Sequence, residues 1–318
     1  MERKMERKMR TGHAARRFNQ RISDHISGYL YTLPFFAIFM VFGFYPMLYT
    51  IYISLFKWDM LGDRTFVGLR NYRLLLTDDP LFWKSIGNTF LIWFESVPFQ
   101  ILFAILLAVL LNQAFIRGKG VFRFFIFLPN ITSLVAVSLI FANVFGVKYG
   151  LFNYLLTLLG LDRLDWAGDS WATQLAVAAL VFWRYLGFHM VIQLAGLQSI
   201  PGDLYQAATI DGASKGQQFF RITIPMLTPT IMFSTLIATT GGLQLFTEPF
   251  TFMSDLSGAV AAVNGGTNNQ VLTVVMYLYK TAFTDHAFGY SSAIANLLLI
   301  IIVIFALFNS LLVGKLRR

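Results

Sequence analysis

Six stretches of this chain stay apolar for the thickness of a lipid bilayer, and no water-soluble fold has room for them together. They run roughly over 29–56, 87–112, 121–146, 173–195, 225–247 and 291–313. A helix crossing the hydrocarbon core needs about 20 mostly apolar residues, and only helices or closed barrels satisfy their backbone groups there. Composition agrees: 56% of the 318 residues are apolar and 13% charged, against about 25% charged in soluble domains. The expectation is an all-α integral membrane protein with six transmembrane helices. Pro129, Asn130 and Asn143 interrupt the third stretch, and Pro225, Pro229 and Gly241-Gly242 punctuate the fifth. Such breaks are tolerated where neighbouring protein or a water-filled cavity takes up the freed backbone groups.

The net charge of +9 raises nucleic acid as a partner, but the basic residues cluster at the ends of the apolar runs, which argues against it. Lys and Arg are retained on the cytoplasmic side of a membrane. With the N-terminus inside, 16 of the 25 fall on the cytoplasmic side, 8 outside, and Arg184 lies within the fourth span. Both termini are therefore assigned to the cytoplasm. Residues 1–28 read as a basic cytoplasmic arm, and 29–318 as the membrane domain. The apolar run after the arm is too long for the core of a cleaved signal. The outer segment 150–161 reads as a short helix on the membrane surface or a cap over the bundle.

Several chemistries are excluded. The chain has no cysteine, so disulfides, thiolate metal sites and cysteine nucleophiles are out. His13, His25, His189 and His286 are scattered without ligand spacing, and no metal site is assigned. Gly212-Ala213-Ser214-Lys215-Gly216 is too short for a phosphate-binding loop and has Gln217 where a hydroxyl is needed.

Between spans four and five lies Ser199–Pro225, too polar to span and too patterned for a plain linker. Pro201 and Asp203 suit the first turn of a short helix that stops near Gly212. Leu204, Ala207 and Ala208 share one of its faces. Ser214 and Gln217 fit a capping box that opens a second short helix, running to an Ile224-Pro225 stop. The small alanines allow another backbone to come close, and Phe219 and Phe220 offer apolar anchors. A hairpin resting on the inner leaflet is the alternative, with only Lys215 and Arg221 to hold anionic lipid.

Gln206-Ala207-Ala208, Asp211-Gly212-Ala213 and Ile222-Thr223-Ile224-Pro225 resemble the EAA loop of binding-protein-dependent ABC permeases. That resemblance implies coupling helices that dock into ATPase subunits through Tyr205, Gln206, Ala207, Ala208, Asp211, Gly212, Ala213, Phe219 and Phe220. Gln206 stands where the family usually has glutamate, so an amide replaces a carboxylate. Other stretches are similar to the larger permease subunit of maltose-type sugar importers: Tyr45-Pro46, Ser54-Leu55, Phe66–Tyr72, Gly118-Lys119-Gly120, Phe127-Leu128-Pro129, Ala282-Phe283 and Gly289–Ala293. By that resemblance the sugar contacts are Trp183, Leu186, Gly187, Met190, Thr240, Gln244 and Thr247, with Glu248 added. Trp183 suits stacking on a pyranose, Gly187 leaves room, and the polar groups suit hydroxyls. Ordinary bundle packing is the competing role for Leu186, Met190 and the threonines.

Glu95 and Arg184 are ionisable residues inside spans, which are expensive enough to suggest function. At about 12 and 16 Å from the outer ends, counting ~1.5 Å per residue, they lie at levels that allow an ion pair; a cavity wall is the other possibility. The resemblance further implies alternating access. An extracytoplasmic solute-binding protein delivers a sugar or oligosaccharide, a second homologous permease completes the pathway, and an ATPase dimer holds ATP and Mg, with no cofactor on this chain. The membrane is then the cytoplasmic membrane of a bacterium or archaeon. An ion-coupled secondary transporter or a permease for another solute, such as a glycerol phosphate ester, is the alternative, but Glu95 is the sole carboxylate well inside a span and no internal repeat is evident.

Overall fold

A computed structural model describes residues 29–60, 62–113 and 116–316; the basic arm expected at 1–28 lies outside the described residues. The chain divides at Ile53 into two units. The first contains one apolar helix, α1 (Tyr29–Ile53), whose ladder passes through a wide five-residue turn at Met40–Phe44. Tyr45, Tyr49 and Tyr52 stack along one of its faces.

The second unit opens with an antiparallel pair, β1 (Phe56–Lys57) and β2 (Thr65–Phe66). Helices α2 (Arg70–Thr77), α3 (Pro80–Asn112), α4 (Lys119–Ile131), α5 (Leu134–Val144), α6 (Leu151–Leu158) and α7 (Ser170–Gln198) follow. Then come α8 (Gly202–Ile210), α9 (Lys215–Leu243), α10 (Thr247–Ser257), α11 (Ala259–Val263), α12 (Val274–Tyr279) and α13 (Phe288–Leu316). Five helices, α1, α3, α7, α9 and the Phe288–Leu311 part of α13, are long and apolar enough to cross a membrane; α4 and α5, bent by 95° at a short break, make a sixth if they count as one.

Three boundaries differ from expectation, the first being α3, which begins at Pro80 rather than near 87. The third apolar stretch is a broken pair, ending its first helix at Ile131, just past Pro129 and Asn130. The fifth span starts at Lys215, because Pro225 does not stop the helix. A five-residue turn at Phe219–Thr223 widens the ladder, with the Ile224 amide donating to the Phe219 carbonyl. Pro225 then sits in the first turn of the next regular segment, where its missing N–H is not called on. The second short helix of the loop is thus the first turn of a span.

The centre of the bundle is α3 against α7. Ala104 and Ala108 on one, and Ala172 and Ala176 on the other, are fully buried, and small residues let membrane helices approach closely. Polar side chains lock one end of the bundle. Gln174 donates to Asn88 Oδ1 (3.0 Å) and to the Gln270 carbonyl (2.8 Å), while Asn88 donates to the carbonyls of Asn269 (2.7 Å) and Leu272 (3.1 Å). Asp79 caps α3 by accepting from the Phe82 amide and also accepts from the Tyr277 and Tyr290 hydroxyls, at 2.6 Å each. Burial and that carboxylate push the Tyr277 hydroxyl up from its ordinary value. The Phe66–Tyr72 stretch serves the same end of the molecule. Asn71 donates to the carbonyls of Ser54 and Phe56, and the Tyr72 hydroxyl joins Ser54 to Asn296 on α13.

Candidate functional site

A cavity of about 290 Å³ lies inside the bundle between α3, α7, α9 and the end of α4. Its polar lining is Gln100, Asn130, Tyr185 and His189; the rest is aliphatic or aromatic, with Gly241 and Gly242 in the wall. Each polar side chain has a position set by the fold. Gln100 donates to the Val181 carbonyl (3.1 Å), tying α3 to α7. His189 Nδ1 shares a hydrogen with Ser234 Oγ on α9 (2.7 Å). The Tyr185 hydroxyl donates to Glu248 Oε1 (2.8 Å), a carboxylate only 4% exposed. No side chain lining the cavity is a formal cation or anion.

Arg184, next to this wall, reaches the bend between α4 and α5. Its Nη1 donates to the carbonyls of Thr132 (3.2 Å) and Pro129 (3.4 Å), and its guanidinium lies 5.6 Å from the Tyr185 ring. The last carbonyls of a helix lack intrahelical donors and carry the negative end of its dipole, so a cation fits there. The expected pairing with Glu95 is not formed: Glu95 Oε2 has no hydrogen-bond partner. Arg184 is turned to the carbonyls of the α4–α5 bend instead.

The residues assigned to sugar by resemblance separate into several environments. Met190 is fully buried in a cluster with Leu194, Leu197 and Leu227, and Leu186 packs on that cluster. Gly187 does not leave room for a ligand: a Cβ there would lie 2.0 Å from the Ile126 carbonyl oxygen, so the space belongs to the α4 backbone. Trp183 is 43% exposed, with its ring 5.3 Å from that of Phe141. Thr240 donates to the Leu236 carbonyl and lines a second, mostly apolar cavity of about 280 Å³ with Trp93, Phe305 and Asn309. Gln244 is exposed just after α9, Thr247 is half-buried at the start of α10, and Glu248 is buried against Tyr185. Gln100, Asn130, Tyr185 and His189 were not singled out as contacts from the sequence. The only available signal was polarity inside apolar runs.

The polar loop folds as a compact corner. Helix α8 ends at Gly212, whose φ of +76° is costly for any residue with a Cβ. The Ala213 amide donates to the Ala208 carbonyl and the Gly212 amide to the Thr209 carbonyl, the paired bonds of a Schellman ending. The capping box is present, with the Gln217 amide donating to Ser214 Oγ and the Ser214 amide to Gln217 Oε1. Gln218 donates to Thr209 and to the Ala213 carbonyl, and the Tyr205 hydroxyl meets Thr223 at 2.9 Å, so α8 is strapped to α9. Gln206, Ala207, Asp211 and Gly212 are exposed, and Ala208 and Ala213 half-buried. Of the two phenylalanines only Phe220 is free, at 70% exposure; Phe219 turns inward toward the Val97, Ile101 and Ile105 cluster. Ile210, 86% exposed, is a further exposed apolar side chain of the loop, one the sequence pattern did not single out.

Residues 82–318 match the family described as "Binding-protein-dependent transport system inner membrane component". The chain belongs to this family. It is 33% identical over 282 residues to the lactose transport system permease protein LacF of Rhizobium radiobacter, covering 88% of this chain and 91% of that one. It is 32% identical over 297 residues to the arabinooligosaccharides transport system permease protein AraP of Halalkalibacterium halodurans, covering 93% and 90%. In fold it is similar to a chain of the bacterial alginate ABC transporter solved in complex with an alginate pentasaccharide-bound periplasmic protein. That match has a TM-score of 0.76 at 22% identity and covers 91% of this chain and 94% of that one. The family, the apolar helices and the fold together make this a multi-pass membrane permease.

Proposed function

We propose that this chain is one membrane half of an ATP-driven importer that translocates a neutral saccharide. The observation that carries this reading is the family match, which includes the loop whose corner is fixed by the Gly212 ending and the Ser214 capping box. The names of the relatives support a sugar. The uncharged polar lining of the 290 Å³ cavity favours a neutral one, because Arg184 is committed to backbone carbonyls and Glu248 to Tyr185. Gln100, Asn130, Tyr185 and His189 are the side chains suited to bond hydroxyls there.

In this reading α4 and α5 cross as one bent span, giving six spans and two cytoplasmic termini. Counting basic residues supports it: were the pair re-entrant, the cytoplasmic share would fall to 14 against 10 outside, instead of 16 against 8. Ala207, Ile210 and Phe220 then face the cytoplasm and dock onto a separate ATPase, which holds ATP and Mg. A second permease completes the pathway, and a solute-binding protein delivers the sugar; the alginate transporter of similar fold was solved with a pentasaccharide-bound periplasmic protein. ATP-driven closure of the ATPase pair moves α8, and its straps to α9 pass that movement to the helix that walls the cavity.

Purification from detergent-solubilised membranes tests this reading, comparing the parent with a variant carrying Gly212→Pro and Ala207→Asp. The expected result is an ATPase and a second permease with the parent, and loss of the ATPase with the variant. Recovery of this chain alone from both contradicts it.

A further inference from the structure

At the end of the bundle where Asp79 caps α3, a cavity of about 330 Å³ lies between β1, α2 and the start of α13. Its walls are pinned. Asn71 donates to the Ser54 and Phe56 carbonyls, the Trp58 carbonyl accepts from the Phe288 amide (3.0 Å), and the Tyr290 hydroxyl is committed to Asp79. Three charged side chains, Lys57, Asp59 and Arg70, line this frame, and all are exposed. Among the described residues none gives these three a side-chain hydrogen bond or an ion pair, although both signs of charge border one cavity. The level of the cavity in the membrane follows from α13. Its apolar part, Phe288–Leu311, is about 36 Å long at ~1.5 Å per residue, against a hydrocarbon core of about 30 Å. Ala287 and Tyr290, in the cavity wall, therefore stand where that core gives way to phospholipid headgroups. Trp58 lines the same cavity, and Trp and Tyr favour this level.

We infer that this cavity binds the headgroup of a zwitterionic phospholipid, a phosphodiester joined to a primary ammonium, with Lys57 and Arg70 holding the phosphate and Asp59 the ammonium. The charges select it. A guanidinium fork and a lysine suit phosphate oxygens, but a bare phosphate or the carboxylate of a partner protein would serve the two cations and set its own charge against Asp59. A ligand bearing both signs answers all three groups. Val67 and Leu74, half-buried in the same wall, suit the glycerol and the first carbons of the chains. The chain's own Tyr29–Ile53 helix has no charged or amide side chain with which to answer this set. A soluble partner would rest beyond the headgroups, whereas the cavity lies among them. Such a site needs only the membrane boundary, so it stands or falls apart from the importer reading.

The test is native mass spectrometry of the full chain, with whatever co-purifies, released from nanodiscs made of equal parts phosphatidylethanolamine and phosphatidylcholine with the same acyl chains. Phosphatidylcholine keeps the phosphate but carries methyl groups in place of the ammonium N–H donors. The parent is expected to retain at least fivefold more phosphatidylethanolamine. Lys57→Gln combined with Arg70→Gln is expected to lower that retention at least fivefold, and Asp59→Asn to bring the two lipids within twofold of each other. The three side chains are exposed and make no internal bond, so these variants should unfold in detergent at the temperature of the parent. Water-soluble glycerophosphoethanolamine, added to protein in phosphatidylcholine nanodiscs, presents the same polar group without the chains, and no adduct is expected. An adduct with it, in the absence of any lipid preference, overturns the lipid as the source. Equal retention of the two lipids by the parent, or a preference that survives the Lys57 and Arg70 double variant, overturns the inference. Release of a co-purifying protein by these variants, with lipid retention unchanged, would make the cavity a protein contact instead.

Discussion

Gly187→Ala separates two roles for the same residue. If Gly187 leaves room for a ligand, one methyl group perturbs binding and spares the fold; if it seats α4 against α7, the fold suffers. The added Cβ would lie 2.0 Å from the Ile126 oxygen, 2.6 Å from its carbonyl carbon and 2.8 Å from the Phe127 Cα. All three are backbone atoms, so no side chain can swing aside. The helices must separate by roughly 1–1.5 Å to restore an ordinary contact. Overpacking of this kind costs about 1–3 kcal/mol, and a clash with fixed backbone belongs at the upper end, about 3 kcal/mol. At about 2.1 cal/mol/K of unfolding entropy per residue, that is a fall of about 4–5 °C in unfolding temperature for a chain of this size. The assay is thermal unfolding of the purified, detergent-solubilised protein, with Gly241→Ala as control. Gly241 lines the cavity with nothing within 4 Å of its Cβ position, so the control is expected to lose no stability. An unchanged unfolding temperature for Gly187→Ala, with weakened sugar transport, would refute the packing role.

Three further outcomes follow from the same geometry. Arg184→Met strips the bend of its charged donor and is expected to cost about 1.5–3 kcal/mol in unfolding assays; combined with Glu95→Gln, the two effects should add within about 0.5 kcal/mol, since the residues do not touch. Gly212→Ala forces a Cβ into φ +76° at a local cost of about 1–2 kcal/mol, so membrane insertion should be normal while sugar uptake per ATP hydrolysed falls. Gly241→Leu fills the cavity from open space and should abolish uptake in proteoliposomes with the ATPase still bound, as measured by co-purification.

Five of the six apolar stretches were legible as long helices because hydrophobicity is a bulk property, which a run of apolar side chains carries whatever each one touches. Boundaries depend on local backbone chemistry and were less so. Pro225 reads as a stop only if the preceding turn is regular, and nothing in Phe219–Thr223 announces the wide turn that lets the helix through. The loop corner was readable in detail, since Ser214, Gln217 and Gly212 act on neighbours within a few residues. The intramembrane contacts were not. Trp183, Leu186, Gly187 and Met190 form one stripe of α7, whereas Tyr185 and His189, on the cavity, form another about 130° away. Sequence spacing defines such stripes without saying which neighbour each one meets. Glu95 and Arg184 repeat the lesson: depth along a helix follows from counting, but direction around it depends on packing.

Reconstitution of this chain in proteoliposomes with a co-purifying permease, an ATPase and a solute-binding protein, followed with labelled sugar, tests whether it is half of an ATP-driven importer. Uptake that requires internal ATP and external binding protein, and that disappears when Ile210→Asp and Phe220→Asp blunt the exposed anchors of the loop, is the predicted result. Uptake by this chain alone, driven by an ion gradient and indifferent to ATP, would contradict the account.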